Sequence, residues 1–288
     1  MSSSGQVTAL ARQLHSQHTL KAWSLVVTFF GDSVLPRGGR APLALVVAVL
    51  AELGVDATTV RAAVARLTRD GWLVRERRGR TSDYRLDDKG LTTFSEASDR
   101  IYARGEPRFA GRWTFAITAL TAGARRNAVR KQLRAAGFGA LGDTVFLRPE
   151  CLPAQPRPTI EQVAYFNADN PDPQMPDAQL AAVFDLATLD AQYRQFIDDF
   201  SAIQISGSVP RGAEAAALRT LLIHEYRRVV LRDPHVPDAL ASALRHRERA
   251  RGLAAQLYGT WLTESEAWLE SAATHWQADP RNILSARF

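Results

Sequence analysis

With 288 residues, of which 46% are hydrophobic, the chain is long enough for two or three domains and too apolar for a disordered protein. Its longest apolar run, residues 41–51, contains Pro42 and falls well short of the roughly 20 residues that cross a bilayer, and residues 1–21 lack the layout of a secretion signal, so we expect a cytoplasmic protein. The net charge of +6 favours a polyanionic partner, and the single cysteine, Cys151, excludes an internal disulfide and predicts a packing residue.

Two apolar segments come before residue 55. Residues 20–31 are dense in apolar and β-branched residues, so periodicity alone leaves a buried helix and a strand both open. After a loop over residues 36–40, Pro42 stands where a helix can begin. A helix is therefore predicted over residues 43–53, ending at Gly54.

A second helix and a basic hairpin follow. Asp56 can cap a helix over residues 57–70, which Gly71 ends. Residues 72–86 have the pattern of two short strands around a basic tip. Three hydrophobic residues are expected to pack at the base of this hairpin: Trp72, Leu73 and Tyr84. Helix, turn, helix and hairpin are the order of a winged helix-turn-helix, and this order favours a helix for residues 20–31.

The charge of this front segment points to DNA. Residues 1–86 hold twelve Arg or Lys against six Asp or Glu, which accounts for the whole excess of +6. The helix over residues 57–70 is expected to bury Val60, Ala63, Val64 and Leu67 and to leave small and basic side chains on its other face. Small residues allow close approach to base edges, and arginines bind guanine or phosphate. The residues predicted to contact DNA are Arg37, Arg40, Thr58, Thr59, Arg61, Arg66, Arg69, Arg75, Arg77, Arg78 and Arg80. An ordinary solvated surface is the alternative.

Two further domains are expected after the hairpin. Residues 89–105 predict a connecting helix, and a Gly-Glu-Pro sequence predicts a break near residue 106. A small α+β unit is indicated by a strand over 113–120, a helix over 125–136 and short strands at 144–147, 163–166 and 183–186. Helical spacing continues over 189–200, 213–231, 237–258 and 261–276. We therefore predict a multi-domain α+β protein with domains over 1–105, 106–187 and 188–288.

Catalytic motifs are weak in this sequence. Gly31-Asp32-Ser33 resembles the nucleophile block of GDS-type esterases, but the Asp-x-x-His that these enzymes use later in the chain does not occur. His224-Glu225 resembles the start of a zinc-binding H-E-x-x-H helix, yet position 228 is Arg. A P-loop and a Gly-x-Gly-x-x-Gly motif are also absent from the sequence. We expect no enzyme activity, no metal and no cofactor.

The segment over residues 224–235 crowds cationic side chains onto a largely apolar helix. These residues are His224, Arg227, Arg228 and Arg232. In a structural interpretation, Arg228 and Arg232 form an i, i+4 pair and some of the arginines bridge to acids such as Asp198 or Asp233. In a functional interpretation, the guanidinium groups form a pocket for a phosphate-bearing effector. The residues alone leave both open.

Three separate blocks of the sequence point to one family. The blocks are Phe30 to Gly39, Val60 to Trp72 with the Arg-rich hairpin after it, and Leu222 to Pro237 followed by Leu257-Tyr258. With these blocks the chain resembles the PaaX family, repressors of phenylacetic acid catabolism, over nearly its whole length. The resemblance implies a winged-helix domain, a ferredoxin-like middle domain, a helical C-terminal domain, a homodimer on double-stranded operator DNA and repression relieved by phenylacetyl-CoA. It also implies that residues 31–39 form a turn between helices.

The resemblance assigns the cationic segment to an acyl-CoA effector, with an aromatic acyl group as first choice. The phosphates and adenine of CoA would suit the arginines, and Tyr226 or Trp261 could form an apolar wall for the acyl part. The predicted effector residues are therefore His224, Tyr226, Arg227, Arg228, Arg232 and Trp261. Three alternatives stay open: a DNA-binding regulator without an acyl-CoA response, a GDS-type esterase using Ser33, and an interaction module with an incidental basic front.

Overall fold

The computed structural model describes residues 3–78, 81–102, 108–152, 157–169, 177–205, 210–272, 284 and 287–288. The fold is mixed α+β, with small sheets and a helical C-terminal region. The chain forms two compact units. Unit 1 contains residues 1–104, 196–228 and 249–288, and unit 2 contains residues 105–195 and 229–248. The segment expected to be a third domain, 188–288, is thus divided between the two units. Within the described ranges no helix is both long and apolar enough to cross a membrane.

Unit 1 begins with two helices, α1 (Ser3–Gln17) and α2 (Ala22–Phe29). Helix α1 was not predicted, although its buried residues Val7, Leu10, Ala11 and Leu14 recur at helical spacing. Helix α2 confirms the helical prediction for residues 20–31. It continues into a π-helical turn over residues 30–34 and a 3-10 turn over residues 35–37.

Helices α3 (Leu43–Glu52) and α4 (Ala57–Arg69) confirm the predicted helix pair. Asp56 caps α4 as predicted, since its Oδ1 accepts from the backbone N–H groups of Thr58 and Thr59 at 2.9 Å each. Gly71 ends α4 with φ of 70°, while the Trp72 N–H donates to the Leu67 carbonyl at 2.9 Å. The predicted stripe is buried: Val60, Ala63, Val64 and Leu67.

A small antiparallel sheet follows, made of β1 (Arg40–Pro42), β2 (Leu73–Arg78) and β3 (Thr81–Leu86) in the order β1-β3-β2. Leu73 and Tyr84 are buried at the base of the hairpin, and the Trp72 ring packs edge-on against Phe94 at a centroid distance of 6.2 Å. These contacts confirm the predicted packing. Phe94 belongs to α5 (Asp88–Tyr102), the predicted connecting helix.

Unit 2 is built on a second antiparallel sheet. Its strands are β4 (Arg108–Thr118), β5 (Gly139–Ala140), β6 (Val145–Leu152) and β7 (Val163–Asp169), in the order β5-β6-β4-β7. Helix α6 (Gly123–Ala135) buries Val129 and Leu133. They form a core with Ala116 of β4, Phe146 of β6 and Phe138, which precedes β5. Cys151 is buried and its thiol donates to the His235 carbonyl at 3.6 Å, which confirms a packing role.

The remaining helices are α7 (Asp177–Val183), α8 (Leu186–Ile205), α9 (Gly212–Val230), α10 (Asp238–Ala241) and α11 (Arg247–Ala272). The strand predicted over 183–186 is wrong, because α7 and α8 are separated there by a turn in which Asp185 has φ of 52°. The predicted break after residue 258 is also wrong. Helix α11 passes through the exposed Gly259, which costs a helix only about 1 kcal/mol.

Candidate functional site

The exposed face of α4 carries five of the residues predicted to contact DNA. They are Thr58, Thr59, Arg61, Arg66 and Arg69, and all are exposed. The Thr59 hydroxyl donates to Asp56 Oδ2 at 2.6 Å and so helps to cap the helix. Arg66 lies over the Trp23 ring at 5.4 Å and pairs with Asp70 at 3.4 Å. Arg69 lies with the small, exposed Ala62 and Ala65 opposite the buried stripe, and Arg61 and Arg66 lie on the flanks of this face.

The β2–β3 hairpin adds further basic side chains to unit 1. Arg75 is exposed and donates to Ser82 Oγ on the opposite strand at 2.9 and 2.8 Å, while Arg77 is exposed beside it. Arg40 of β1 pairs with Glu76 of β2, which is one acid among these basic groups. Arg80 and the side chain of Arg78 lie outside the described residues.

Arg37 does not lie on this surface. It is 3% exposed, its Nη1 donates to the Ser33 carbonyl at 2.7 Å, and its guanidinium pairs with Glu266. Burial, and next the nearby Arg219, lower its pKa to about 10. A guanidinium enclosed in this way cannot reach a phosphate, so the prediction for Arg37 is wrong.

Arg37 instead belongs to a buried polar group that we call the Asp32 cluster. Its members are Asp32, Ser33, Arg37, Tyr102, Arg219, Tyr258, Glu266 and Arg287. Asp32 Oδ2 accepts from Arg219 Nε at 2.7 Å, and Asp32 Oδ1 accepts from the Tyr102 hydroxyl at 2.6 Å and the Tyr258 hydroxyl at 3.1 Å. Arg219 also donates to Glu266. The cluster therefore joins the turn after α2 to α5, α9 and α11.

Electrostatics keep the Asp32 cluster ionised although it is buried. Burial alone would raise the pKa of Asp32, but Arg219, Arg287 and the Tyr102 hydrogen bond outweigh it and hold that pKa below its ordinary value. The carboxylate in turn overcomes the effect of burial on Arg219 and raises the pKa of that guanidinium. Burial and the same carboxylate raise the pKa of the Tyr102 hydroxyl well above its ordinary value, so it remains a donor.

Ser33 of the esterase-like motif lies inside this cluster. Its hydroxyl donates to Asp32 Oδ2 at 3.1 Å and accepts from Arg219 Nη2 at 2.8 Å. A nucleophilic serine needs a base to take its proton and a carbonyl within reach, whereas this oxygen is fully buried against a cation. The contacts favour a structural role for the motif. Among the described residues, moreover, no group of three His, Cys, Asp or Glu side chains could hold a metal.

The predicted effector residues of α9 are mostly engaged inside unit 1. His224 is buried and its Nδ1 lies 3.1 Å from the Thr28 hydroxyl. Arg227 donates to Ser24 Oγ at 2.7 Å, and Arg228 pairs with Glu225 at 2.8 Å and lies against His18. The partners of these two arginines are Ser24, Glu225 and His18, and the choice between a structural role and an effector role stays a prediction. Arg232 is exposed in unit 2, and Trp261 is buried in unit 1.

Tyr226 has a different environment, because its ring belongs to an aromatic cage around Phe288. The walls of this aromatic cage are Tyr102, Tyr226 and Tyr258, whose ring centroids lie 5.5, 5.9 and 5.5 Å from that of Phe288. Tyr226 was predicted as an effector residue, Tyr258 stood only in the family block at residues 257–258, and Tyr102 was not predicted. Tyr102 and Tyr258 lie 156 positions apart in the sequence, so only the folded chain brings them together.

Comparisons with known proteins agree on one family. Residues 21–90 match the family model described as PaaX-like protein, and residues 184–271 match that of the PaaX-like protein C-terminal domain. The chain is 33% identical over 255 residues to the transcriptional repressor PaaX of Escherichia coli (strain K12), covering 82% of this chain and 78% of that protein. Among solved structures it is similar to the uncharacterized protein Rv0674 from Mycobacterium tuberculosis, with 21% identity and a TM-score of 0.45 over 75% of this chain and 90% of that one.

Proposed function

The chain belongs to the PaaX-like protein family, and from that premise we propose that it is a transcriptional repressor that binds operator DNA through α4 and the β2–β3 hairpin. The observation that carries the proposal is the exposed face of α4, where Arg61, Arg66 and Arg69 lie beside the small side chains of Ala62 and Ala65. In this proposal α3, α4 and the hairpin form a winged helix-turn-helix, with α4 in the major groove.

Each part of this surface has a separate task in the proposal. Arginines on α4 read base edges, because guanidinium groups can donate in bidentate fashion to guanine. Arg75 and Arg77 of the hairpin bind phosphates, which fixes the register without reading sequence. Arg40 supports them from the neighbouring strand. The proposed contact set is now Arg40, Thr58, Thr59, Arg61, Arg66, Arg69, Arg75, Arg77, Arg78 and Arg80, without Arg37.

The regulated genes and the effector are proposed from the family resemblance. We propose that the repressor controls phenylacetic acid catabolism and leaves its operator when phenylacetyl-CoA or a related acyl-CoA binds. Support comes from the sequence resemblance and from the relative that is named a transcriptional repressor. An effector can release DNA only by binding the DNA-incompetent state more tightly. Tyr226 is the predicted residue whose aromatic surroundings suit an acyl group, and the exposed Arg232 remains a candidate for a phosphate.

Unit 2 is assigned a supporting role in this proposal. Its strand order β5-β6-β4-β7, with α6 between β4 and β5, is the order of a ferredoxin-like sheet, which the family resemblance implies for the middle domain. A homodimer would place two copies of α4 on half-sites about 34 Å apart or at a multiple of that spacing.

Specific DNA binding is tested by titrating the full chain against its own upstream intergenic DNA and against a scrambled duplex of equal composition. The proposal expects affinity for the upstream DNA at least ~10³-fold higher than for the scrambled duplex at physiological salt. Equal affinities for the two duplexes would show that the basic residues of α4 and the hairpin bind DNA without sequence preference. That result would contradict the proposal.

A further inference from the structure

We infer that the aromatic cage of unit 1 is the binding site for the aryl ring of an aryl-acyl thioester, and that Phe288 occupies this site as an internal competitor. The inference rests on the proposed function, which supplies the ligand class. It adds where the ring binds and which residue the ring displaces.

The geometry of the cage is that of an aromatic receptor. Tyr102 meets the Phe288 ring edge-on at an interplanar angle of 87°, and Tyr226 and Tyr258 meet it at 50° and 55°. Centroid distances between 5.5 and 5.9 Å lie within the range that aromatic pairs prefer. The Phe288 side chain is a benzyl group, which is also the apolar part of a phenylacetyl group. The cage therefore already holds a fragment of the proposed ligand.

The walls of the cage are fixed, whereas its occupant reaches solvent. The three tyrosines are buried, and Phe288 is only partly buried. Hydroxyls of Tyr102 and Tyr258 are held by Asp32, and Phe196 packs behind Tyr226 at 5.5 Å. Removing the Phe288 ring would thus leave a site whose three aromatic walls are already in place.

Besides the three tyrosine rings, hydrogen bonds of the described residues hold Phe288 in place. Its backbone N–H donates to the Tyr102 carbonyl at 3.0 Å. The neighbouring Arg287 donates from Nη1 to Asp32 Oδ1 and to the Tyr258 hydroxyl at 2.7 Å each. Phe288 has φ of 64°. This backbone conformation is unfavourable for a bulky L residue and so disfavours the placement of its ring in the aromatic cage. A ligand that supplies its own ring can therefore compete with this segment.

The charges around the cage favour a thioester over a free acid. Without Arg287, the Asp32 cluster has two carboxylates, Asp32 and Glu266, and two cations, Arg37 and Arg219, which already pair with one another. A free arylacetate would bring a third carboxylate towards Asp32 with no cation to match it, whereas the carbonyl of a thioester is neutral. The CoA part would extend towards solvent from the partly buried position of Phe288.

The cage also has a physical connection to the hairpin. Tyr102 is the last residue of α5, and α5 begins two residues after β3. A Cβ at Gly31 would lie 2.5 Å from the Phe94 ring of α5, so this helix packs closely on the turn that holds Asp32. A ligand that contacts Tyr102 differently from Phe288 would therefore act on the element that follows the hairpin.

The test compares Phe288→Ala and Arg287→Ala with the unchanged chain by isothermal titration calorimetry, using phenylacetyl-CoA, acetyl-CoA and free phenylacetate as probes. Because each substitution weakens the internal competitor, both are expected to bind phenylacetyl-CoA about 10-fold more tightly, with little gain for acetyl-CoA. Little gain for phenylacetate is expected in Arg287→Ala, which lacks the additional cation. Phe166→Ala is the matched control, since Phe166 is 56% exposed in unit 2, and its affinity should not change. Thermal unfolding of each variant shows whether it is folded.

The outcomes separate this inference from the proposed function. If phenylacetyl-CoA binds both variants with unchanged affinity, or binds none of the proteins, the cage is not the site. Unchanged affinity together with operator release by phenylacetyl-CoA would overturn the cage alone and leave the repressor intact. Tighter binding by both variants supports the cage, even if the operator complex ignores the thioester and the proposed release fails.

Discussion

Asp32 remains a carboxylate inside unit 1 because two arginines and two tyrosine hydroxyls surround it. A buried ion pair contributes little net stability compared with apolar residues of the same volume, but breaking it strands the other charges. Arg219 is the residue on which most of these contacts converge, since it binds Asp32, Ser33, Ser265 and Glu266.

We therefore expect Arg219→Met to destabilise the protein by about 3–5 kcal/mol, because Asp32 and Glu266 each lose one of the two buried cations that pair with them. The measurement is the denaturant midpoint followed by tryptophan fluorescence. Arg125→Met is the control, since the Arg125 side chain is 56% exposed and pairs with Glu161 at the surface of unit 2. If Arg219→Met changed the free energy of unfolding by no more than the control does, within about 0.5 kcal/mol, the ion pairs of the Asp32 cluster would not stabilise the fold as expected.

His224 gives unit 1 a specific dependence on pH. Burial, and next Arg227 and Arg228, hold its pKa well below the ordinary 6.5. The folded chain thus keeps His224 neutral where the unfolded chain takes up a proton. The stability it contributes is fully present above pH 6.5 and is lost as the pH falls from there towards the lowered folded pKa.

The melting temperature is therefore expected to fall as the pH is lowered from about 7.5 to about 5.5. This window extends roughly one pH unit to either side of an ordinary histidine pKa. His224→Asn, which keeps a donor for Thr28, should flatten this dependence. His15→Asn on the exposed side of α1 should leave it as it is. Parallel curves for the unchanged chain and His224→Asn would remove His224 as the cause.

Local signals explain which residue assignments the sequence allows. The cap at Asp56 depends on backbone groups two and three positions away, so the sequence alone predicts it. The role of Arg37 depends on Glu266, 229 positions later, and no spacing rule connects the two. A charged Arg219 within the apolar run 215–223 is a signal of a buried ion, but it does not name its partners.

At the scale of elements, α4 and the hairpin could be predicted because their signals depend on residues close in sequence. These signals are a helix cap, a buried stripe with a 3.6-residue period and a glycine that ends the helix. Short segments were not. Residues 183–186 are apolar enough for a strand, yet they end one helix and begin the next. Over four residues an apolar run does not distinguish the two structures.

Helix α4 and the hairpin should respond differently to substitution. Arg61→Ala is expected to cost about 1–3 kcal/mol of operator binding and to relax specificity, because it removes a base-reading donor. Arg75→Ala should weaken binding to all duplexes alike and reduce the salt slope by about 1. The measurement is anisotropy across a salt series, with Arg125→Ala as a charge-matched control outside unit 1. Identical behaviour of the two variants would contradict the division between reading and positioning.

At the scale of the whole molecule, unit 1 is assembled from three separate stretches of chain. The spacing of apolar residues predicts consecutive domains, because it shows which residues are helical but not which helices pack together. Asp32 lies in the first stretch, whereas Arg219 and Glu266 lie in the later ones. The proposed DNA-binding elements therefore depend on the C-terminal helices.

A fragment of residues 1–105 should consequently fail to fold as it does in the full chain, since Asp32 and Arg37 would lack their ion-pair partners. Circular dichroism with thermal unfolding is expected to show a broad, uncooperative transition. A fragment with a sharp transition and the operator affinity of the full chain would show that the C-terminal helices are dispensable for the DNA-binding elements.

The account as a whole is tested most directly by fluorescence anisotropy of the full chain on its upstream intergenic DNA at fixed salt, with and without phenylacetyl-CoA and a panel of other acyl-CoAs. It predicts tight, specific binding that phenylacetyl-CoA or a closely related thioester weakens at least ~10-fold, which corresponds to about 1.4 kcal/mol of coupling. Specific binding that every thioester leaves unchanged would contradict release by an acyl-CoA, and weak binding without sequence preference would contradict the repressor itself.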